Sequence, residues 1–181
     1  TWEALRRAPE GGVWALARDA QAAEALRQQA ARLSEVERPV VLVGELEALP
    51  DLIMVASGEP VRFDLIVGRN ALTQHPDKPR AARLLAGLLR PGGQISLAET
   101  VPHETQRLYA LVDAQALDAD LAHAWVQAEE QIYAQPDDPM VNWGAEDLRA
   151  VFAHAGLEIM SLETLRQPRD LLITQEQAAR W

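Results

Sequence analysis

The sequence contains no cysteine, only two phenylalanines and two tyrosines, and a single lysine, Lys78. The absence of cysteine excludes disulfide bonds, thiolate zinc sites and a cysteine nucleophile, and it is typical of the cytoplasm. No apolar run approaches the ~20 residues that a membrane-spanning helix needs. Residues 1–12 are polar and helix-like, unlike a signal peptide. The sequence therefore predicts a cytoplasmic protein with no membrane partner.

Positive charge is scarce as well. The formal net charge is −10, whereas broad nucleic-acid-binding surfaces gain affinity from clustered positive side chains that neutralise phosphates. The densest basic group lies on one predicted helix and at the residue after its end, and we interpret it as a solvated helix face. Its members are Lys78, Arg80, Arg83 and Arg90. We therefore expect no direct nucleic-acid binding by this acidic chain.

The apolar share is 48% and the length is 181 residues, which predicts one ordered domain over residues 1–181. Short β-branched runs alternate with helical patterns. Strands are predicted at Val13–Ala17, Pro39–Val43, Phe63–Val67 and Gln94–Ala98, and helices at Ala20–Leu33 and Pro76–Leu89. This alternation is typical of an α/β fold with a doubly wound, mostly parallel sheet.

The second half of the sequence predicts helices followed by short strands. The predicted elements are a helical region at Thr105–Ala134 with a break around Asp118, a helix at Ala145–Ala155, strands at Leu157–Leu162 and Asp170–Thr174, and a final turn at Gln175–Trp181. Two strands after the last helix predict an antiparallel finish to the sheet.

Metal sites have little support in the sequence. None of the four histidines has a companion at metal-ligand spacing. Acidic pairs at Glu129–Glu130 and Asp137–Asp138 could hold a hard cation. The alternative, which we favour, is a solvated helix end followed by a turn.

Several segments resemble the class I S-adenosylmethionine methyltransferases in sequence. FDLIV resembles that family's fourth strand, LLRPGGQISLAE its fifth, and EDLRAVFAHAGLEIMSLETL its late helix and sixth strand. Two earlier segments, VWALARDAQ and VLVGELEALP, resemble its second and third strands. The resemblance implies a Rossmann-like methyltransferase fold over most of the chain, with S-adenosylmethionine as the family cofactor.

The resemblance also implies positions for cofactor contacts beyond the carboxyl ends of the strands. Asp19 matches the acid that binds the ribose hydroxyls, and Glu45 matches the acid beside the adenine. Gly68, Arg69 and Asn70 lie on the exit loop of the matching fourth strand. The alternatives are that Asp19 is a helix N-cap and that Glu45 is an exposed loop acid.

The sequence departs from the family at its catalytic end. Nothing in it matches the first strand with its glycine-rich loop, whose backbone approaches the cofactor's methionine part, and Gly11 and Gly12 come too late to replace it. The Asn/Asp-Pro-Pro-aromatic loop of amino-group methyltransferases is also absent. We therefore expect no bound cofactor in this segment and no catalytic residue, with His75 as the alternative general base.

A second resemblance covers parts of the chain that the fold does not require. Four segments are similar to a methyltransferase-like extension that follows the AAA+ ATPase module of bacterial replication-associated recombination proteins of the RarA/MgsA type. They are WEALRRAPEGGVWAL, VGRNALTQHPDK, LAETVPHETQRLY and AEEQIYAQPDDPMVNW.

This second resemblance implies a degenerate methyltransferase-like accessory or docking domain. It would be the C-terminal module of a longer, ATP-binding chain that acts in DNA replication and recombination. The implied partners are the upstream AAA+ module and replication proteins, with a homo-oligomer as a further alternative. No Walker loop occurs in the sequence, so ATP chemistry would lie upstream. The competing hypothesis is an active small-molecule methyltransferase truncated at its N-terminus.

Overall fold

A computed structural model describes residues 1–8, 11–113, 117–135 and 137–166, and strands alternate with helices through its first half as predicted. The elements in chain order are α1 (Trp2–Arg7), β1 (Trp14–Ala17), α2 (Ala20–Ala30), β2 (Val40–Val43), α3 (Leu49–Ser57), β3 (Phe63–Arg69), α4 (Lys78–Leu88), β4 (Leu89–Ala98), α5 (Ala119–Tyr133) and α6 (Ala145–His154). The predicted α/β class is confirmed.

The strands form two small parallel sheets. β1 pairs with β2, and β3 pairs with β4. Each partner is reached through a helix, as parallel strands require. Among the described residues these two pairs do not join into one continuous ladder. The single doubly wound sheet therefore stays a prediction.

β1 and β2 lie between two helices. Trp14 and Leu16 pack against a core centred on Leu42 and Ile53, which faces α3. Alternate residues of a strand point to opposite faces, so Ala17 lies on the α2 side and is buried there. This sheet is therefore covered on both faces.

The described helices that cover β3 and β4 lie on one face of the pair. Ile66, Ile95 and Leu97 pack against a second core that is built from α4, α6 and the segment before α4. Its buried members are Leu72, Ala81, Leu85, Trp143 and Leu148. Leu65 and Val67 point to the opposite face, which is exposed. Ile66 contacts both cores and so connects the two strand pairs.

The segment Pro91–Gly93, which falls between the predicted helix at Pro76–Leu89 and the predicted strand at Gln94–Ala98, lies inside β4. The register runs from Phe63↔Leu89 directly to Leu65↔Gln94, so the extra residues bulge out of the ladder. Gly93 is required there, because an added Cβ would stand 2.9 Å from the carbonyl oxygen of Phe63.

The predicted helical region at Thr105–Ala134 is wrong in its first half and right in its second. α5 begins after Asp118, whose carboxylate accepts hydrogen bonds from two amides of the first turn, so the predicted break is confirmed. Of the described residues between Thr105 and Asp118, only Tyr109–Leu111 form a short helical segment, a 3-10 turn. Sequence periodicity misses this because the buried carboxylate of Glu129 binds the amides of Leu108 and Tyr109 at 2.6 and 3.1 Å.

The predicted strand at Leu157–Leu162 is also wrong, since these residues form neither strand nor helix. α6 ends where Gly156 adopts φ 81 and the amide of Leu157 bonds back to Phe152. A strand needs a neighbour, and no described strand pairs with this segment. The predicted strand at Asp170–Thr174 and the final turn at Gln175–Trp181 lie outside the described residues.

One ion-pair cluster fixes α5 to the segment before it. Arg107 Nε donates to Glu130 Oε1 at 3.0 Å, and the guanidinium lies 3.7 Å from the centre of the Tyr133 ring. The Tyr109 hydroxyl donates to the same carboxylate at 2.7 Å. This bond is the main reason why the pKa of Glu130 lies below its usual range and that of Tyr109 above it.

None of the described helices is long and apolar enough to cross a membrane.

The Tyr109–Glu130 bond predicts a pH dependence that absorbance can measure. The raised pKa of Tyr109 means that the bond's stabilisation is complete below the phenol's ordinary pKa of 10.0 and is lost as the pH rises through the folded-state pKa. The lowered pKa of Glu130 means that the bond's stabilisation is complete above the ordinary pKa of a glutamate. It is lost as the pH falls through the folded-state pKa of Glu130. In a Tyr133→Phe background, phenolate absorbance should therefore show Tyr109 titrating above 10.0.

Glu130→Gln provides the control for this titration, because the amide keeps the side chain's shape and removes its charge. We expect it to bring the titration of Tyr109 back towards the ordinary range. A Tyr109 that titrates identically with and without Glu130 would contradict the described contact.

Candidate functional site

The candidate site is the edge where the strands end. Ligands of open parallel sheets lie beyond the carboxyl ends of the strands. Asp19 follows β1, Glu45 follows β2, Asn70 follows β3 and Glu99 follows β4. Of the residues that the sequence marks as cofactor contacts, Asp19, Glu45 and Asn70 lie on these exit segments. Gly68 and Arg69, which were expected on the exit loop, are the last two residues of β3 and pair with β4.

Glu99 joins the exits of β3 and β4. Its carboxylate accepts hydrogen bonds from the amides of Ala71, Leu72 and Thr73 at 2.9, 3.1 and 2.8 Å, and from the Thr73 hydroxyl at 2.8 Å. Successive amides that converge on one anion form the type of cradle that holds phosphates or carboxylates elsewhere. Here the protein's own carboxylate fills the cradle.

Asn70 completes the same connection. It adopts φ 51, the left-handed region that asparagine tolerates better than most residues. Its Oδ1 accepts hydrogen bonds from the amide and the hydroxyl of Thr100, both at 3.0 Å. The side chain that was predicted to contact a cofactor therefore bonds to the chain itself.

Gly68 is explained by packing. An added Cβ would stand 2.7 Å from Leu97 Cδ2 and 3.1 Å from the Cβ of Ala71. A larger residue would push the exit loop away from β4. Arg69, the next residue, is exposed, and its guanidinium forms no ion pair with a described residue.

The two predicted cofactor acids differ in their surroundings. Asp19 caps α2, because its carboxylate accepts a hydrogen bond from the amide of Ala22 at 2.7 Å. Glu45 is exposed, and its side chain caps nothing. These are the arrangements of the two alternatives, an N-cap and a loop acid. Cofactor binding by either residue stays a prediction.

His75 lies buried between the exit loop and the segment after β2. Its Nδ1 accepts a hydrogen bond from the amide of Asp77 at 3.1 Å, which puts the proton of a neutral ring on Nε2. Nε2 lies 2.8 Å from Glu47 Oε1, although the two atoms are too poorly aligned to count as a hydrogen bond. The lone pair that a general base needs is thus already in use, and a catalytic role for His75 stays a prediction.

The carboxylate of Glu47 is stabilised in its charged form. Its pKa lies below the usual range, chiefly because its own backbone N–H hydrogen-bonds to it. The proximity of His75 and Arg80 lowers it further, while partial desolvation opposes the shift. The carboxylate of Glu47, which follows β2, thus lies 2.8 Å from the ring of His75, which follows β3.

Lys78 corrects the prediction of a solvated basic face. Its side chain is buried, and Nζ donates to the carbonyl oxygens of His75 and Pro139 at 3.1 and 2.5 Å. The ammonium also lies 4.8 Å from the centre of the Trp143 ring. Burial lowers the pKa of Lys78, and the nearby charges of Glu99 and Asp138 oppose that shift.

The acidic pairs do not assemble as a cation site. Glu129 is buried against backbone amides, so the expectation of a solvated helix end is wrong for it. Glu130 bonds to Arg107 and Tyr109, while its side chain stays 45% exposed. Within the described ranges, no three His, Asp or Glu side chains come together as metal ligands.

Sequence reasoning did not identify three charged residues that make contacts at this edge. Glu99, Glu47 and Lys78 are charged residues in turns or at helix starts, and such residues are ordinarily solvated. For Glu99 one signal was available, since it comes directly after a strand and faces the polar turn 70–73.

Comparison of this chain with protein-family models, curated proteins and solved structures found no match.

The Glu99 cradle predicts a large effect of one mutation on stability. Glu99→Ala removes the acceptor of four hydrogen bonds and should lower the free energy of unfolding by about 2–3 kcal/mol, because amides bound to a charge are left without it. Denaturant unfolding measures the loss. The matched control is Glu158→Ala at an exposed position, which should change little; equal effects of the two changes would refute the cradle.

The burial of Lys78 predicts slow reaction with amine reagents. As it is the chain's single lysine, an acylating reagent followed by mass spectrometry should modify the α-amine first and Lys78 at least ~10-fold more slowly, since reaction requires local opening. Trp143→Leu keeps an apolar side chain and removes the aromatic contact, so it should accelerate labelling. Rapid labelling of Lys78 in the folded wild-type chain would contradict its burial.

Proposed function

We propose that this chain is an accessory domain with a methyltransferase-like fold and without methyl-transfer machinery. The observation that carries the proposal is the Glu99 cradle. The loop after β3, where the methyltransferase resemblance puts cofactor contacts, has its amides bound to Glu99 and its Asn70 side chain bound to Thr100. A cofactor carboxylate or hydroxyl would have to displace these bonds, and we therefore propose that no cofactor is held here.

The strand pairing supports the finer fold assignment. In the proposed doubly wound sheet, β1–β2 and β3–β4 are its two flanks, and Ile66 contributes to the cores of both. The strand missing from the resemblance is the one that would lie between them. An antiparallel finish is not among the described strands.

We further propose that the domain is the C-terminal module of an AAA+ ATPase that acts in DNA replication and recombination. The support is the resemblance of the four quoted segments to the extension of RarA/MgsA-type proteins. The net charge of −10 favours protein partners, namely the AAA+ module and replication proteins, over direct contact with DNA.

The alternative is an active small-molecule methyltransferase, and two exposed side chains favour it. Glu45 and Arg69 lie at strand exits, and neither is bonded to another described side chain. An enzyme would use such groups for the cofactor or the substrate. His75 would then have to release the Asp77 amide before it could accept a proton.

Calorimetric titration separates the two proposals. S-adenosylmethionine is titrated into this chain and into the natural polypeptide that carries it, with circular dichroism confirming folding. We expect no heat of binding at micromolar cofactor. Micromolar affinity that is lost in Glu45→Ala and Arg69→Ala would overturn the accessory-domain proposal and support the enzyme.

A further inference from the structure

β1 and β3 each have one edge that no strand in the described part of the chain pairs with. Val13 and Ala17 accept hydrogen bonds from the β2 side through their carbonyls. In a parallel ladder alternate residues bond to opposite sides, so the backbone of Trp14 and Leu16 faces away from β2. The amide of Asn70 bonds to Ala98 of the β4 side.

The same alternation applies to β3. Because Asn70 faces β4, the backbone of Leu65 and Val67 faces away from it. We call the space bounded by these four residues, Trp14, Leu16, Leu65 and Val67, the strand gap. No described strand pairs with either edge of the gap.

The strand gap is wider than the spacing of two paired strands. Neighbouring strands lie about 4.8 Å apart, whereas Cα atoms of β1 and β3 mostly keep more than 8 Å apart. The two strands are held side by side at their beginnings by an edge-on contact between the rings of Trp14 and Phe63, whose centroids are 6.1 Å apart. The two strands therefore begin close together, and the edge of each that has no described partner is the one turned away from β2 or from β4.

The surface beside the gap is apolar and uncovered. The side chains of Leu65 and Val67 are 53% and 67% exposed. Parallel sheets occur almost only with both faces covered, so a bare apolar face on a parallel pair indicates that part of the structure lies elsewhere.

The order of elements identifies what fills the gap. α2, α3 and α4 each lead from one strand to the next, and α1 precedes β1 in the same way. A helix that leads into a parallel strand is ordinarily the crossover from a strand beside it. The one free edge of β1 borders the strand gap.

We propose that a segment N-terminal to α1 in the natural polypeptide inserts between β1 and β3 as a strand parallel to both. β1 and β3 are four and seven residues long, so the segment is extended over a similar length. Its side chains are apolar, since the cores below the gap and the bare face beside it are apolar. The AAA+ module of the proposed function would then be joined through a strand that belongs to this domain's own sheet.

A segment from the same polypeptide is favoured over a separate chain for a physical reason. So short a strand contributes few hydrogen bonds of modest net strength, and a separate chain would also lose translational and rotational entropy. A tethered segment avoids most of that loss.

Amide hydrogen exchange by NMR tests the insertion. In this chain alone, the amides of Trp14, Leu16, Leu65 and Val67 should exchange rapidly, while Ala15, Ala17, Ile66 and Gly68 are protected. In the natural polypeptide the first four should gain at least ~100-fold protection. Unchanged exchange of those four amides, or a natural polypeptide that begins at Thr1, would overturn the proposal.

Val67→Pro provides a variant that acts on the gap alone, because it removes one gap-facing N–H, and Val67→Thr is the control that keeps it. The two variants should differ little in thermal stability in this chain, and the proline should be the less stable in the natural polypeptide. Equal differences in both contexts would contradict insertion. The proposal depends on the proposed function only in taking this chain as part of a longer one, and micromolar cofactor binding would refute the accessory role without affecting the exchange result.

Discussion

The carboxylate of Glu99 is the interaction on which the strand-exit edge depends. This one carboxylate accepts hydrogen bonds from three consecutive amides and one hydroxyl of the turn after β3. Hydrogen bonds to a charged acceptor are stronger than neutral ones, so the turn is held in one conformation. That conformation sets the start of α4, and with it the positions of His75 and Lys78.

A second consequence of the cradle concerns charge. Ligand sites in α/β proteins keep unpaired amides and fixed side chains ready for an anion. In this protein the carboxylate of Glu99 accepts hydrogen bonds from the amides of residues 71–73, and the carboxylate of Asp19 accepts one from the first turn of α2. The ammonium of Lys78 contacts carbonyl oxygens and the ring of Trp143. Several polar groups at the strand exits therefore already have partners within the fold, whereas Glu45 and Arg69 are exposed and have no described side-chain partner.

The parts of the fold that follow from local pattern could be predicted from the sequence. β-branched runs placed β2 and β3 within two residues, and Asp118 marked the start of α5. The failures depend on tertiary contacts. Residues 105–113 have helical composition, but the distant Glu129 binds their amides. Leu157–Leu162 has a strand's alternation and lacks a partner strand. The burial of Lys78 could not be predicted from the neighbouring sequence. Its hydrogen-bond acceptors are backbone carbonyl oxygens, and one of them belongs to a residue 61 positions away in the chain.

The two strand pairs bring these observations together. Isolated two-stranded sheets are marginal in water, and β1–β2 compensates by burial between α2 and α3. β3–β4 has helices on one face only, so it depends more on the bonds at its end, where Glu99 and Asn70 connect its two exits. A strand inserted between Leu16 and Val67 would pair both edges at once and turn two marginal ladders into one cooperative sheet. The charged connections at the exits would then hold in register a sheet whose central strand arrives with the adjoining module.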